Sequence, residues 1–213
     1  MQDRETAGTQ VSDQTEQAGT HEHQIETPWF YSVSELPPLI TVDEFNRITG
    51  GVMSATSSQL EAKIAGVSAA IRDWCGWHVS PVLDCSITTE SEGNLLVLPV
   101  MFLREIDRFE VQGSAREVQF KSNGLVRLVH GFFPDAWASI ECDFKAGVES
   151  DVLAELVAQI ASNALVAAPG IAEEHAGSVG ATYNKTGDGI TGGVSLLPRD
   201  KELLMHYRLG TWQ

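Results

Sequence analysis

The residue types that carry chemistry are present in this chain, but their spacing does not assemble them. Gly187-Asp-Gly189-Ile-Thr-Gly192 matches the glycine pattern of a dinucleotide loop. Such a loop needs a strand before it, a helix opening within it, and an acid about twenty residues later. Here a polar stretch precedes it and Val194-Ser-Leu-Leu-Pro198 follows, so a linker is expected. His21-Glu22-His23 places two imidazoles around a carboxylate, a set able to touch a metal. It lies in a polar segment, and a solvated tail is the expected state. The other four histidines, at 78, 130, 175 and 206, are scattered. Neither a GxSxG elbow nor an HExxH pair occurs. Cys75 falls at the C-terminal end of a predicted helix, where the helix dipole opposes a thiolate. The expectation is a protein that is not an enzyme, with no catalytic residues, no cofactor and no metal.

Charge narrows the partners. The chain of 213 residues has 29 acids against 14 Lys and Arg, a formal net charge of −15. Most of its surface repels phosphates, so it is not expected to grasp nucleic acid, although it can surround DNA without sticking to it. Cys75, Cys85 and Cys142 show no CxxC spacing and leave an odd thiol, which fits buried thiols in a reducing compartment. No run of about 18 apolar residues is present, so no membrane span is expected. The first residues lack the apolar stretch of a secretory signal.

The element that must organise everything else runs from Ser57 to Pro81. Leu60, Ile64, Val67, Ile71 and Trp74 recur at steps of four and three, which places them on one helix face. Gln59, Glu61, Lys63, Ser68, Arg72 and Asp73 fall on the opposite, polar face. Either Thr56 with Gln59 or Ser58 with Glu61 can form the opening capping box. Gly76 suits a left-handed helix end, and Pro81 forbids further helix.

Residues 1–30 form an acidic N-terminal tail, expected to be disordered up to about residue 27 because its composition offers little to bury. Trp29, Phe30 and Tyr31 end it, as an expected anchor onto the body or a neighbouring subunit. Residues 31–81 hold a helical lead-in and the long helix. Thr41-Val-Asp-Glu44 is a capping box that opens a short helix with Phe45 and Ile48 inward. Over 82–147 the period changes to two, which predicts an inserted antiparallel sheet or barrel of five or six strands. Val118 and Phe120 are expected inward, and Asn123-Gly124 signals a type I′ hairpin. A further strand is read from Trp137 to Phe144.

Residues 148–170 carry a second long helix with Val152, Leu156 and Ile160 in one row, expected to pair with the helix at 58–75. Residues 171–213 read as a Gly-rich flexible arm ending in a short helix, with Leu203, Leu204 and Tyr207 inward. The fold class expected is α+β: a small helical bundle with an inserted antiparallel sheet, a disordered tail and an extended C-terminal arm.

This order of elements resembles the head-tail adaptor (connector) proteins of long-tailed phages, in particular members from actinobacterial phages. Ala70-Ile-Arg-Asp-Trp-Cys-Gly-Trp-His78 is similar to the helix end of that family, although Trp77 stands where a basic residue is frequent. Leu95 to Val100 followed by Arg104-Glu-Ile106 resembles its strand pair, and Gly147 to Leu153 its strand-to-helix step. Glu173 to Gly180 and Leu203-Leu-Met-His-Tyr-Arg208 resemble its last motif and last helix. The resemblance covers about residues 36–213.

It implies a virion protein made in the host bacterial cytoplasm and forming a homo-oligomeric ring, typically of twelve subunits. The ring would dock on the portal protein and receive head-completion or tail-terminator proteins. DNA would pass through without specific binding, and no membrane is involved. Trp29, Phe30, Tyr31, Leu196, Leu197, Leu203, Leu204 and Tyr207 are the candidate assembly residues. The competing reading is a non-viral acidic binding module with the β insert as its recognition surface.

Overall fold

The computed structural model describes residues 24–51, 56–91, 93–166 and 196–210, and the backbone of 173–176 and 179–182. In chain order the elements are β1 (Ile25–Glu26), β2 (Ser32–Val33), α1 (Val42–Thr49), α2 (Ser57–Cys75), β3 (Leu83–Thr89), β4 (Leu95–Val97) and β5 (Leu103–Val111). They continue as β6 (Ser114–Ala115), β7 (Val118–Phe120), β8 (Leu125–Leu128), β9 (Ile140–Ala146), α3 (Asp151–Val166), β10 (Glu173–Ala176), β11 (Val179–Thr182) and α4 (Pro198–Leu204). A 3₁₀ turn, Met205–Tyr207, extends α4. The fold is α+β.

Local chemistry sets the helix ends. Of the two capping boxes open to α2, the one formed is Thr56 with Gln59. Gly76 closes the helix at φ +78°, its N–H returned to the Arg72 carbonyl. Thr41 and Glu44 make the box that opens α1. Ser150 Oγ accepts the Leu153 N–H at the start of α3.

The long helix buries Leu60, Ile64, Val67, Ile71 and Cys75. It packs against α3, whose buried Ala158, Ala161 and Ala164 let the two backbones approach. The apolar face is broader than its five-residue row, because Ser68 and Arg72 of the supposed polar face are also buried. Trp74, expected in the buried row, is only half-buried. Val152, expected inward on α3, is exposed.

The main sheet has strand order β1-β2-β3-β9-β5-β6, antiparallel throughout, with β9 at its centre. Leu83, Cys85, Ile87, Phe109, Cys142 and Phe144 line its inner face. The helices cover one part of that face. A second sheet, β4-β8-β7, covers another and brings Phe133 to within 6.1 Å of Phe109, ring to ring. One continuous hydrophobic core results.

Four sequence expectations change in the β regions. The tail ends earlier than residue 30, because β1 pairs with β2. The hairpin at Asn123-Gly124 is not type I′: Gly124 has φ +84° but Asn123 does not lie at positive φ. Gly124 N–H donates to the Lys121 carbonyl and Lys121 N–H to that of Leu125, a type I turn completed by a left-handed glycine. The strand read from Trp137 begins at Ile140. Within the arm, β10 and β11 pair as an antiparallel hairpin. The tail 1–23, the His21-Glu22-His23 set and the glycine pattern at 187–192 lie outside the described residues.

Candidate functional site

The most constrained place in the molecule is the bend between α2 and β3, residues 76–81. Arg72 Nε donates to the His78 carbonyl at 2.8 Å, and its Nη2 donates to Pro37 O at 2.6 Å and Ser80 O at 2.8 Å. One guanidinium thus holds two carbonyls of this bend and ties it to Pro37 in the segment before α1. Burial lowers the Arg72 pKa to about 10, so the group stays charged at neutral pH.

His78 is fully buried beside it. Its Nε2 lies 2.9 Å from the Ala146 carbonyl, which can only accept, so Nε2 carries the proton. Nδ1 then accepts from the Tyr31 hydroxyl at 2.7 Å. Desolvation lowers the His78 pKa to about 4, with the bond to Ala146 opposing. The Tyr31 hydroxyl is pushed well above its ordinary range by the same burial.

The C-terminal helix closes the other side. Trp77 Nε1 donates to the Tyr207 carbonyl at 2.6 Å, Leu209 N–H donates to Cys75 O at 2.9 Å, and Tyr207 Oη lies 3.1 Å from Ser150 Oγ. Lys201 and Arg208 sit over the Trp74 ring, 4.7 and 4.2 Å from its centroid. These bonds are architectural: they join residues near both ends of the described chain to one bend.

Cys75, Cys85 and Cys142 are free and buried, and desolvation pushes each thiol up to about 12. Among the described residues no cluster of His, Cys, Asp and Glu could hold a metal, and no helix is long and apolar enough to cross a membrane. Two surfaces stand out among the described residues.

One surface is a groove of about 1150 Å³ between α2 and the segment 28–43, with Ile40 and Ile64 among its lining residues and Asp43, Glu61 and Asp73 also lining it. Another is the solvent face of the main sheet. Arg108 bonds Asp143 at 2.7 Å, Glu141 at 3.2 Å and Glu110 at 3.4 Å. Lys145 bonds Glu105 and Asp107, each at 3.1 Å. The carboxylates raise the pKa of both cations, Asp143 chiefly for Arg108 and Glu105 chiefly for Lys145.

The fold is similar to that of a chain in the neck of a GTA particle. A chain from the neck of an empty GTA particle, computed with C6 symmetry, superposes with TM-score 0.51 at 15% identity, over 84% of this chain and 94% of that one. A chain from the neck of a native GTA particle, computed with C12 symmetry, gives TM-score 0.47 at 13% identity, over 84% and 97%. No family model matches the sequence, and no curated protein matches it.

The candidate assembly residues divide sharply. Phe30 is 87% exposed at the tip of the β1–β2 hairpin, while Trp29 is half-buried and Tyr31 is in the core. Leu196 and Leu197 are half-buried. Leu204 and Tyr207 are buried in their own chain, so their side chains offer no docking surface. Leu203, expected inward, is 51% exposed, because a seven-residue helix has only one turn-face to bury.

Phe132 and Trp137, exposed on the β8–β9 connection, are surface aromatics that the sequence reading missed. Their local sequence, Gly131-Phe-Phe-Pro134, is a loop signal in which Phe133 alone turns inward.

Proposed function

We propose that this chain is a structural subunit of a virion neck. It assembles into a closed ring, of twelve copies on the resemblance to connector proteins, that docks on the portal and receives the head-completion or tail-terminator proteins. The observation that carries this reading is the fold shared with a GTA neck chain over nearly the whole of both proteins. The net charge of −15 supports a passage through which DNA moves without being held. The protein acts as a rigid spacer rather than a catalyst. Its core unites helices and sheets, and its three thiols are buried.

Negative-stain electron microscopy of the purified full chain, together with mass photometry, tests the proposal. Closed rings with a central opening are expected, alone or on addition of purified portal rings. A chain that stays monomeric at high protein concentration and fails to bind portal rings overturns it.

A further inference from the structure

The chain carries two sheet faces of opposite character. The solvent face of the main sheet presents Asp84, Glu105, Asp107, Glu110, Glu141 and Asp143 around only two cations, Arg108 and Lys145. Both cations are already held by carboxylates of this same face, so the face keeps an excess of negative charge. Register explains the clustering. Asp84 pairs with Lys145, Lys145 with Glu105, Asp143 with Arg108, and Glu141 with Glu110, all on one side of the pleat.

Leu96, Val126 and Leu128 of the second sheet join the core that also holds the inner face of the main sheet, so the outer faces of both sheets lie away from that core. Leu96 and Val126 of this sheet are buried. Their neighbours Leu95, Val97 and Arg127 therefore point outward, with Gln119 opposite Arg127 and Lys121 two residues further along. Leu95 and Val97 are exposed apolar groups. Arg127 bonds only the neutral Gln119, and Lys121 forms no ion pair within the described residues. In a chain with twice as many acids as bases, this outer face is apolar at β4 and carries Arg127 and Lys121 against one acid, Glu117.

We propose that these two faces are the two halves of one contact between copies: the β4-β8-β7 face of one subunit docks on the acidic face of the main sheet of the next. The inference rests on the ring reading above and names its interface. Because the two faces are different, one contact repeated from copy to copy runs head to tail and closes when its rotation divides a full turn. Charge complementarity selects a second copy over other occupants. Leu95 and Val97 supply the apolar centre, and Arg127 and Lys121 meet the carboxylates.

A charge-swap experiment on the full chain tests this. One variant carries Lys121→Glu and Arg127→Glu; the other carries Asp84→Lys and Glu141→Lys. Each alone sets like charges across the contact and should raise the assembly midpoint by more than about tenfold in mass photometry. An equal mixture of the two restores opposite charges at every junction, and mixed rings with alternating subunits should return. Because a misfolded chain cannot be rescued by mixing, the mixture separates a lost contact from a lost fold.

Rings from both single variants at the wild-type midpoint overturn the interface and leave the ring reading standing. Failure of the mixture to assemble overturns it too. So does a second variant that assembles normally but gains DNA binding, since its acidic face would then line the passage. A wild-type chain that forms no ring overturns both the interface and the ring.

Discussion

The Tyr31 hydroxyl and His78 Nδ1 lie 2.7 Å apart in the core, joining the β1–β2 hairpin to the bend that follows α2. The bond requires a neutral imidazole. A proton on Nδ1 would face the hydroxyl hydrogen, and the same hydroxyl oxygen already accepts the His78 N–H at 3.0 Å.

This arrangement makes stability depend on pH. The folded His78 pKa, about 4, lies below its ordinary 6.5, so folding favours the neutral form. The contribution is whole above pH 6.5 and is lost as pH falls from there to about 4, to the extent of about 3 kcal/mol at most. Denaturant unfolding of wild type and His78→Gln at pH 7.5 and pH 4 checks it. The variant is weaker at neutral pH, and the gap should narrow on acidification. A constant gap would contradict the buried neutral imidazole.

Arg72 should resist conservative replacement. Arg72→Leu leaves the carbonyls of Pro37 and Ser80 without donors and that of His78 with the Ser80 N–H alone, and should cost about 3 kcal/mol or more. Arg72→Lys should recover little, because an ammonium cannot reproduce the forked geometry. Thermal melts of the two variants within a few degrees of wild type would refute this.

Gly124 and Gly113 offer a matched pair. Both have positive φ, +84° and +70°, but a Cβ at Gly124 would sit 2.6 Å from the Val100 carbonyl and 2.7 Å from that of Leu98, whereas Gly113 faces open space. Gly113→Ala should cost about 1 kcal/mol, and Gly124→Ala clearly more because backbone must shift. Equal melting temperatures for the two variants would show that the second sheet yields to the methyl group.

Deleting residues 196–213 should destabilise the isolated chain as well as any assembly. Leu204 and Tyr207 would leave the core, and the buried Trp77 indole would lose its acceptor. Calorimetry of the truncated monomer checks this. An unchanged melting temperature would return the last helix to the role of a detachable arm. By contrast, Phe30→Ser should alter monomer stability by less than about 0.5 kcal/mol, since the ring is in solvent.

The helix at 57–75 and the strands from Leu83 onward were legible because their periods are clean and their punctuation strong: Thr56, Gly76 and Pro81 each act within a few residues. Ser68 and Arg72 were misread because a polar side chain is buried wherever distant carbonyls or amides need a partner. Ser68 Oγ accepts the Leu39 N–H across 29 residues, which no local pattern reveals. The acidic face was half-legible. Glu141, Asp143 and Lys145 alternate in sequence, but their clustering with Arg108, Glu110 and Glu105 depends on the β5–β9 register. The bulges between Leu103 and Arg108 that set that register leave no sequence mark.

The closing of Trp77 by Tyr207 has a bearing on synthesis. A polypeptide emerging from the ribosome makes α2, the main sheet, the β4-β8-β7 sheet and α3 well before residues 204–209. Until those residues arrive, the indole of Trp77 and the carbonyl of Cys75 lack their partners. Chains cut short by premature termination therefore present an unsealed core to chaperones and proteases rather than a finished building block.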